Sequence, residues 1–398
     1  MNGSGKVDGR GYHWWMLLFL NDKKYLPDEN SRPHLFHYID CNFTTMHDLL
    51  IKNSAQFHVK LDQCHDGLFY NINIRVNTTA QINLIKRFSL NGALIMFPFN
   101  TDGIDPSGAR FQFYNLTVQN YDDVVVPKPQ GAADCTRDFL VENSTVMLGV
   151  GMTVGSVPPE RDCNCVRNIT FRNIRMIRPL KGIYVKSNPG DEGTGLVEDI
   201  YYQNFTMDRP VWWAIYIGPQ QMKEPDGDGP GCMLYPFDKK GTCQTQPRVT
   251  MRNITLDNIN IHNSFFYPYT IRCNVSNPCT DINFYHVVTD TWQHGQPRTG
   301  YVCEYASGKR NGTYPPLHCL DDVADPSQPQ QQVPTRTFWE DAYENTLNGF
   351  KVSRLLFAEI EKAALEVGYH EEDDEFDYDL TAETILDLGM TGPLNATQ

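Results

Sequence analysis

One phrase recurs along this chain and limits what it can fold into. An Asn or Asp is followed by an apolar residue, any residue and a large apolar residue, and then a second Asn and another apolar residue close the phrase. It reads Asn168-Ile169-Thr170-Phe171-Arg172-Asn173-Ile174, then Asp199-Ile200-Tyr201-Tyr202-Gln203-Asn204-Phe205, then Asn253-Ile254-Thr255-Leu256-Asp257-Asn258-Ile259. Looser copies stand at Asn71-Ile72-Asn73-Ile74, Asn115-Leu116-Thr117-Val118 and Asp281-Ile282-Asn283-Phe284. The apolar residues alternate with period two, which marks strands. Gly, Pro and Asn separate copies that recur every roughly twenty to thirty residues, and such self-similarity marks a solenoid whose coils bury their apolar sides only by stacking. The expectation is an all-β parallel solenoid, in which residues one coil apart in sequence become neighbours at about 4.8 Å.

That expectation turns four scattered segments into one candidate site. Asn100-Thr101-Asp102, Asp122-Asp123, Gly149-Val150-Gly151 and Tyr184-Val185-Lys186 are spaced so that successive coils would place them on one face. Asp102 and Asp122 lie twenty residues apart, and if that interval is one coil their carboxylates are stacked neighbours. Three carboxylates and one ammonium are the equipment of an acid–base glycosidase, which needs one carboxyl protonated and another ionised. Consecutive residues of a regular strand point to opposite faces, so Asp122 and Asp123 converge only where the strand bends or bulges.

The 398 residues carry 34 basic and 48 acidic side chains, a formal net charge of -14, with no basic cluster that would track a phosphate backbone. Nucleic acid is not an expected partner. An acidic polysaccharide would be met by a local basic site against the field of the whole protein, and Lys186 is the candidate. No stretch is long enough to span a membrane, and the apolar run Trp14 to Leu20 is too short for a secretory leader. The 11 cysteines have spacings that suit disulfides in an oxidising compartment: Cys232 with Cys243, Cys273 with Cys279 and Cys303 with Cys319. Cys163 and Cys165 are too close to bridge each other, and Cys41 and Cys64 are expected to stack as core residues. Asn-x-Ser/Thr sequons from Asn2 to Asn395 suggest secretion, although several sit inside the repeated phrase, where a solenoid uses the Asn structurally.

The four motifs, together with Gly5-Lys6-Val7-Asp8-Gly9-Arg10-Gly11, Trp14-Trp15 and Arg32-Pro33, resemble the glycoside hydrolase family 28 that contains the polygalacturonases. The resemblance runs to about Gln220 and implies a right-handed, single-stranded parallel β-helix of the pectin-lyase type. In that family the motifs read Asn-Thr-Asp, Asp-Asp, Gly-His-Gly and Arg-Ile-Lys. Carried over, Asp122 is the general acid, Asp102 and Asp123 activate water, and hydrolysis inverts the anomeric centre with carboxyls about 6.5–9.5 Å apart. Asn100, Gly149, Val150, Gly151, Tyr184 and Lys186 fall at substrate-binding positions. Two of these depart from the pattern: Val150 replaces the family His and cannot hydrogen-bond to the acid, and Tyr184 replaces the Arg and cannot pair bidentately with a uronate. The altered motifs look more like the rhamnogalacturonan-cleaving branch than the homogalacturonan-cleaving one. No counterpart of the family's downstream substrate-binding Tyr is evident around Gly218-Pro219-Gln220-Gln221-Met222.

The chain is thus expected to hold a β-helix over 1–320, truncated at its N-terminus, a linker over 321–336 and a helical and acidic extension over 337–398. Helical spacing runs from Phe338 to Tyr369, and Glu371 to Asp379 reads as a solvated acidic tail. The implied activity is a secreted, monomeric O-glycosyl hydrolase acting on pectic polysaccharide, galacturonan or rhamnogalacturonan, with neither metal nor nucleotide cofactor. The alternative is a non-catalytic carbohydrate-binding or cell-surface relative of the same fold.

Overall fold

The computed structural model describes residues 3–19, 24–79, 98–130, 134–160, 164–221, 243–265, 268–290, 301–323 and 349–367. Eighteen strands and two α-helices stand in these segments. In order they are β1 (Lys6–Asp8), α1 (Tyr12–Phe19), β2 (Phe36–Ile39), β3 (Thr45–Lys52), β4 (Val59–Arg75), β5 (Ile104–Tyr114), β6 (Thr117–Asn120), β7 (Thr136–Leu148), β8 (Met152–Val157) and β9 (Asn164–Ile177). There follow β10 (Ile183–Ser187), β11 (Gly195–Asp208), β12 (Ile215–Gln220), β13 (Val249–His262), β14 (Tyr269–Arg272), β15 (Thr280–Thr289), β16 (Tyr301–Glu304), β17 (Lys309–Asn311), β18 (Asp321–Asp322) and α2 (Gly349–Val367).

The repeated phrase explains the long strands. Within β9, β11 and β13 the two polar positions of each phrase adopt left-handed backbone: Asn168 (φ 53) and Asn173 (φ 57), Asp199 (φ 58) and Asn204 (φ 56), Asn253 (φ 50) and Asn258 (φ 56). Asn and Asp tolerate that conformation better than other non-glycine residues, so each phrase turns two corners of its coil. The corner side chains then stack into amide ladders: Asn204 Nδ2 donates to Asn173 Oδ1 at 3.0 Å, and Asn258 Nδ2 to Asn204 Oδ1 at 2.9 Å. Sequons at Asn168, Asn204 and Asn253 therefore have a structural use.

Between the corners the apolar residues point inward and align in parallel register. Ile169, Ile200, Ile254 and Ile282 form one column, and Phe171, Tyr202, Leu256 and Phe284 another. All of these are buried, each side chain contributing about 1.5–3 kcal/mol of transfer free energy. Every strand pairing in both sheets is parallel, one sheet running β1-β3-β4-β5-β7-β9-β11-β13-β15-β17-β18 with β2 and β6 alongside, the other β16-β14-β12-β10-β8. The protein is the right-handed parallel β-helix expected from its repeats, with a small helical piece near its C-terminus.

Disulfides join Cys41 to Cys64, Cys135 to Cys165, Cys273 to Cys279 and Cys303 to Cys319. The expectation that Cys41 and Cys64 merely stack is corrected: β2 pairs with β4 in parallel, which carries the two residues to a Cα separation of 4.5 Å, and they bond. Cys163 and Cys232 lie outside the described residues, as do the greater part of the expected linker and the acidic tail. Strand β18 pairs with β17, so the stack reaches Asp322. Helix α2 falls inside the stretch expected to be helical. No helix among the described residues is long and apolar enough to cross a membrane.

Candidate active site

The bridges Ile104↔Val125 and Val125↔Met152 continue through Ile183 and Ile215 as one column of the second sheet. Two residues earlier on each of these coils stand Asp102, Asp123, Val150, Lys181 and Trp213. The coil interval at the first bridge is thus one residue longer than the expected twenty, and the residue in register with Asp102 is Asp123, not Asp122. Asp122 joins them because the chain leaves strand geometry after Asn120: its Oδ1 accepts from the Asp123 amide at 2.9 Å, and its Oδ2 from the Asn100 amide at 2.9 Å. One oxygen from each of Asp102, Asp122 and Asp123 lies within 4.8 Å of the others. These are spacings between the nearest oxygens, shorter than those between the carboxyl groups themselves, and a single water bridges two oxygens about 4.8 Å apart with hydrogen bonds of about 2.8 Å.

The turns that carry the trio are locked to each other. Asn120 Nδ2 donates to the carbonyls of Thr101 (3.0 Å) and Asp123 (2.8 Å), tying the two motifs together. Asn100 sits at φ 58, and its Oδ1 accepts from Arg32 Nη2 at 2.6 Å, while Arg32 Nη1 donates to the carbonyls of Ala55 and Phe99. Asp123 is 1% exposed and has a complete set of partners, Lys186 Nζ at 2.8 Å on Oδ2 and Thr153 Oγ1 at 2.6 Å on Oδ1. Asp102 is 2% exposed, and its Oδ1 has no hydrogen-bond partner.

These surroundings separate the three carboxyls electrostatically. Burial acts upward on Asp123, but Lys186, Lys128 and the hydrogen bonds from Lys186 and Thr153 outweigh it and hold the group below the usual carboxylate range. Burial and the Asp123 charge push Asp122 upward. Burial, Asp105 and Asp122 push Asp102 well above the ordinary value against the opposing charge of Lys128. The site therefore holds one ionised carboxylate beside carboxyls that favour their protons, the division of labour that acid–base hydrolysis requires. The same oxygens are dimensioned for a cation, but Lys186 and Lys128 already supply compensating charge.

The altered positions lie on the next coils. Gly149 and Gly151 act through their backbone: Gly149 N donates to Asn120 O at 2.9 Å, and Gly151 O accepts from Val124 N at 3.0 Å. Gly151 has φ 102, and a Cβ there would meet Gly182 O at 2.3 Å, so no other residue fits without displacing the next coil. The Val150 amide donates to Asp122 O at 2.8 Å, but its side chain is buried in an apolar cluster. Tyr184 is 3% exposed, stacked on Tyr216 with ring centroids 5.5 Å apart, and Lys186 Nζ lies 4.8 Å from its ring centre. The structure thus gathers Asn100, Asp102, Asp122, Asp123, Tyr184 and Lys186, and gives Val150 and both glycines a place beside them. Sequence reasoning passed over Asn120, Thr153, Asp105 and Lys128. The signal for the last two was present: with the interval set by the first bridge, Lys128 stacks on Ser107, two residues past Asp105, and period two puts both on one side of the strand.

The sequence profile described as glycosyl hydrolases family 28 matches residues 1–303. The chain belongs to that family. It is 24% identical over 338 residues to a probable rhamnogalacturonase E of Aspergillus niger, covering 82% of this chain and 59% of that protein. It is 23% identical over 314 residues to rhamnogalacturonase A of Emericella nidulans, covering 76% of this chain and 49% of the other. The chain therefore spans only about half the length of these curated relatives. Among solved structures, the endo-xylogalacturonan hydrolase of Aspergillus tubingensis aligns with a TM-score of 0.54 at 19% identity, covering 80% of this chain and 74% of that one. Endopolygalacturonase I of Stereum purpureum aligns with a TM-score of 0.53 at 17% identity, covering 77% and 78%. These likenesses show the shared fold.

Proposed function

We propose that the protein is an inverting O-glycosyl hydrolase of pectic polysaccharide, with Asp122 as general acid and Asp102 with Asp123 as the base that activates water; Asp123 is held ionised, and Asp102, pushed upward by burial, shares that duty only once it has lost its proton. The observation that carries this reading is the convergence of Asp102, Asp122 and Asp123 within 4.8 Å, with Lys186 on Asp123. Asp122, pushed upward by burial and by Asp123, is suited to protonate the glycosidic oxygen. Lys186, paired with Asp123, offsets one carboxylate charge and so lessens the repulsion that a uronate substrate meets at a protein of net charge -14.

The substrate we assign is rhamnogalacturonan or another substituted pectin in preference to plain homogalacturonan. Val150 and Tyr184 withdraw two polar groups that the family offers a galacturonate, and both side chains are buried in an apolar cluster, which suits a less charged sugar. Curated relatives named as rhamnogalacturonases support the same choice. Four disulfides fit a secreted protein, and we take the β-helix through Asp322, a linker from there to 336 and the extension over 337–398 as its units, acting as a monomer.

Incubation with homogalacturonan and rhamnogalacturonan side by side, with products resolved by chromatography, tests the assignment. Faster cleavage of rhamnogalacturonan, with proton NMR showing inversion at the new reducing end, is the expected result. Retention of configuration would overturn the stated roles. Retention of oligosaccharides on a column without any hydrolysis would overturn the enzyme reading.

A further inference from the structure

The buried acidic cluster is larger than the three motif aspartates, and it contains a second ammonium. Asp105, three residues after Asp102, is 3% exposed. Lys128 Nζ lies 3.1 Å from Asp105 Oδ2 and 3.8 Å from Asp102 Oδ2. The Lys128 backbone is fixed by its amide, which donates to Pro106 O at 2.9 Å, so the lysine is carried by the coil stacked directly on Asp105. Among the described residues, the charged and titratable groups around Asp102 are then Asp105 on its own strand, Asp122 and Asp123 on the adjacent turn, and Lys128 just beyond. Lys186 on β10 reaches Asp123, and the His58 ring contacts the Asp102 carbonyl, its Nδ1 2.9 Å from that oxygen. Lys186 is already committed to Asp123. Lys128 is therefore the one ammonium positioned to favour an ionised Asp102, and it shares that charge with Asp105.

Building on the proposed roles above, we infer that the half-buried Lys128 and the buried Asp105 form an ion pair that sets whether Asp102 can serve as the base: Lys128 is a positioning residue that draws the Asp102 carboxylate into its ionised form, and Asp105 tempers that pull. Neither residue belongs to the four motifs. Asp105 is desolvated with Lys128 as its charged partner, and neither of its carboxylate oxygens makes a hydrogen bond of good geometry. Burial raises it to about 6 even beside Lys128. A buried carboxyl at that cost is explained if its charge is used, and the charge it acts on is shared with Asp102.

The pair makes predictions of opposite sign. Lys128→Met removes the cation, so Asp102 holds its proton to higher pH and the acidic limb of the kcat/KM profile moves up by about one pH unit or more, a loss of about tenfold on that limb. Asp105→Asn removes a negative neighbour and frees Lys128 for Asp102, so the same limb moves down. Lys128→Arg keeps the charge and leaves the limb within a few tenths of a unit. A purely structural pair would lower kcat/KM at all pH values in both variants without moving the limb, and that result would overturn the inference, as would shifts of the same sign. If Lys128→Met fails to fold, the Asp105→Asn and Lys128→Arg profiles still decide. Potentiometric titration of the folded protein measures proton uptake directly: on acidification from about pH 8 to about pH 5, a range in which a lysine does not titrate, Lys128→Met takes up more protons than wild type, and Asp105→Asn takes up fewer even after the proton of the deleted Asp105 carboxyl is subtracted. Unchanged uptake would overturn the inference even if hydrolysis were never detected, and absence of hydrolysis with changed uptake would fault only the enzymatic reading.

Discussion

Two stretches of the stacked coils around the site differ sharply. On the coils of Asp102 and Asp123 the surroundings are polar: the backbone amides of Asn100 and Asp123 serve Asp122, and Lys186 and Thr153 serve Asp123. On the next coils the corresponding column positions are Val150, Lys181 and Trp213, and the surroundings are apolar and aromatic. Val150, Tyr184, Trp212, Trp213 and Tyr216 belong to one buried cluster that also takes in Trp15 of α1 and Ile360 and Ala363 of α2. Lys181 is accommodated there with its Nζ 3.9 Å from the Tyr184 ring centre and 4.5 Å from that of Trp212. Helix α2 is held at its polar edge by Arg178, 1% exposed, whose Nη2 lies 2.8 Å from Glu359, and by Arg209, 2.7 Å from Glu366. The Asn-Thr-Asp and Asp-Asp motifs stand unaltered on the polar coils, and the altered positions Val150 and Tyr184 lie in the cluster that α2 completes.

The largest test of that contrast is Asp122→Asn. An amide keeps the shape but only one of the two contacts, because its NH2 cannot accept from the Asn100 or Asp123 amide, and it cannot deliver a proton to an alkoxide leaving group. General acid catalysis contributes about 10²–10⁴-fold, so kcat on an unactivated pectic substrate should fall by that factor while oligosaccharide binding, read by calorimetry, survives. Val150→Ala on the apolar side should change kcat only a few-fold. Equal losses in the two variants would break the comparison.

Next in size is Lys186→Met, which strands Asp123 in a site 1% exposed. Removing one partner of a buried pair costs about 3–5 kcal/mol, limited here because Asp123 can take up a proton instead. The direction of the pH effect follows from the depressed folded-state pKa of Asp123. Its contribution to stability is present above the unfolded carboxylate value of about 3.9 and is lost as pH falls through the lower folded value. The melting temperature of Lys186→Met should therefore lie furthest below wild type at neutral pH, and the two should converge as the medium is acidified below about pH 4. A gap that stays constant with pH would show that Lys186 acts through packing alone.

Much of this was legible in the sequence because the β-helix converts interval into proximity. Asn168 and Asn173, Asp199 and Asn204, and Asn253 and Asn258 announce two corners per coil, and Ile169, Ile200 and Ile254 between them announce the buried column. Asp102, Asp122, Asp123 and Lys186 were legible as one face for the same reason. What stayed hidden depended on exact register and on chain reversal. A coil of twenty residues pairs Asp102 with Asp122, whereas the actual bridge Ile104↔Val125 pairs it with Asp123. Asn120 and Thr153 act by reaching across turns whose shapes no period describes. The bond between Cys41 and Cys64 depended on which strand pairs with β4, a long-range choice between β2, β3 and β5 that local spacing does not encode. Helix α2 was readable as a helix, but its docking on the cluster of Val150 and Tyr184 rests on the buried Arg178, a residue that carries no sequence signal of burial.

The smallest expected effect is the most discriminating. Val150→His with Tyr184→Arg restores the residue types that the family places beside its acid and its uronate. If the cleft were otherwise a homogalacturonan site, regained hydrogen bonds and a bidentate carboxylate contact would dominate, and preference would swing by orders of magnitude. The structure argues for less. Both positions are buried in an apolar cluster, where an imidazole or guanidinium without complete partners costs about 1–3 kcal/mol, and Tyr184 also faces Lys181 at 3.9 Å, so an arginine there would meet an ammonium in place of an aromatic face. The expected outcome is a shift toward homogalacturonan of less than about tenfold in relative kcat/KM, accompanied by a lower melting temperature and faster proteolysis within 349–367 as the cluster beneath α2 loosens. A large gain on homogalacturonan with α2 still protected would show that the apolar stretch is a substrate site in disguise, and that the contrast between the two stretches is one of residue type only.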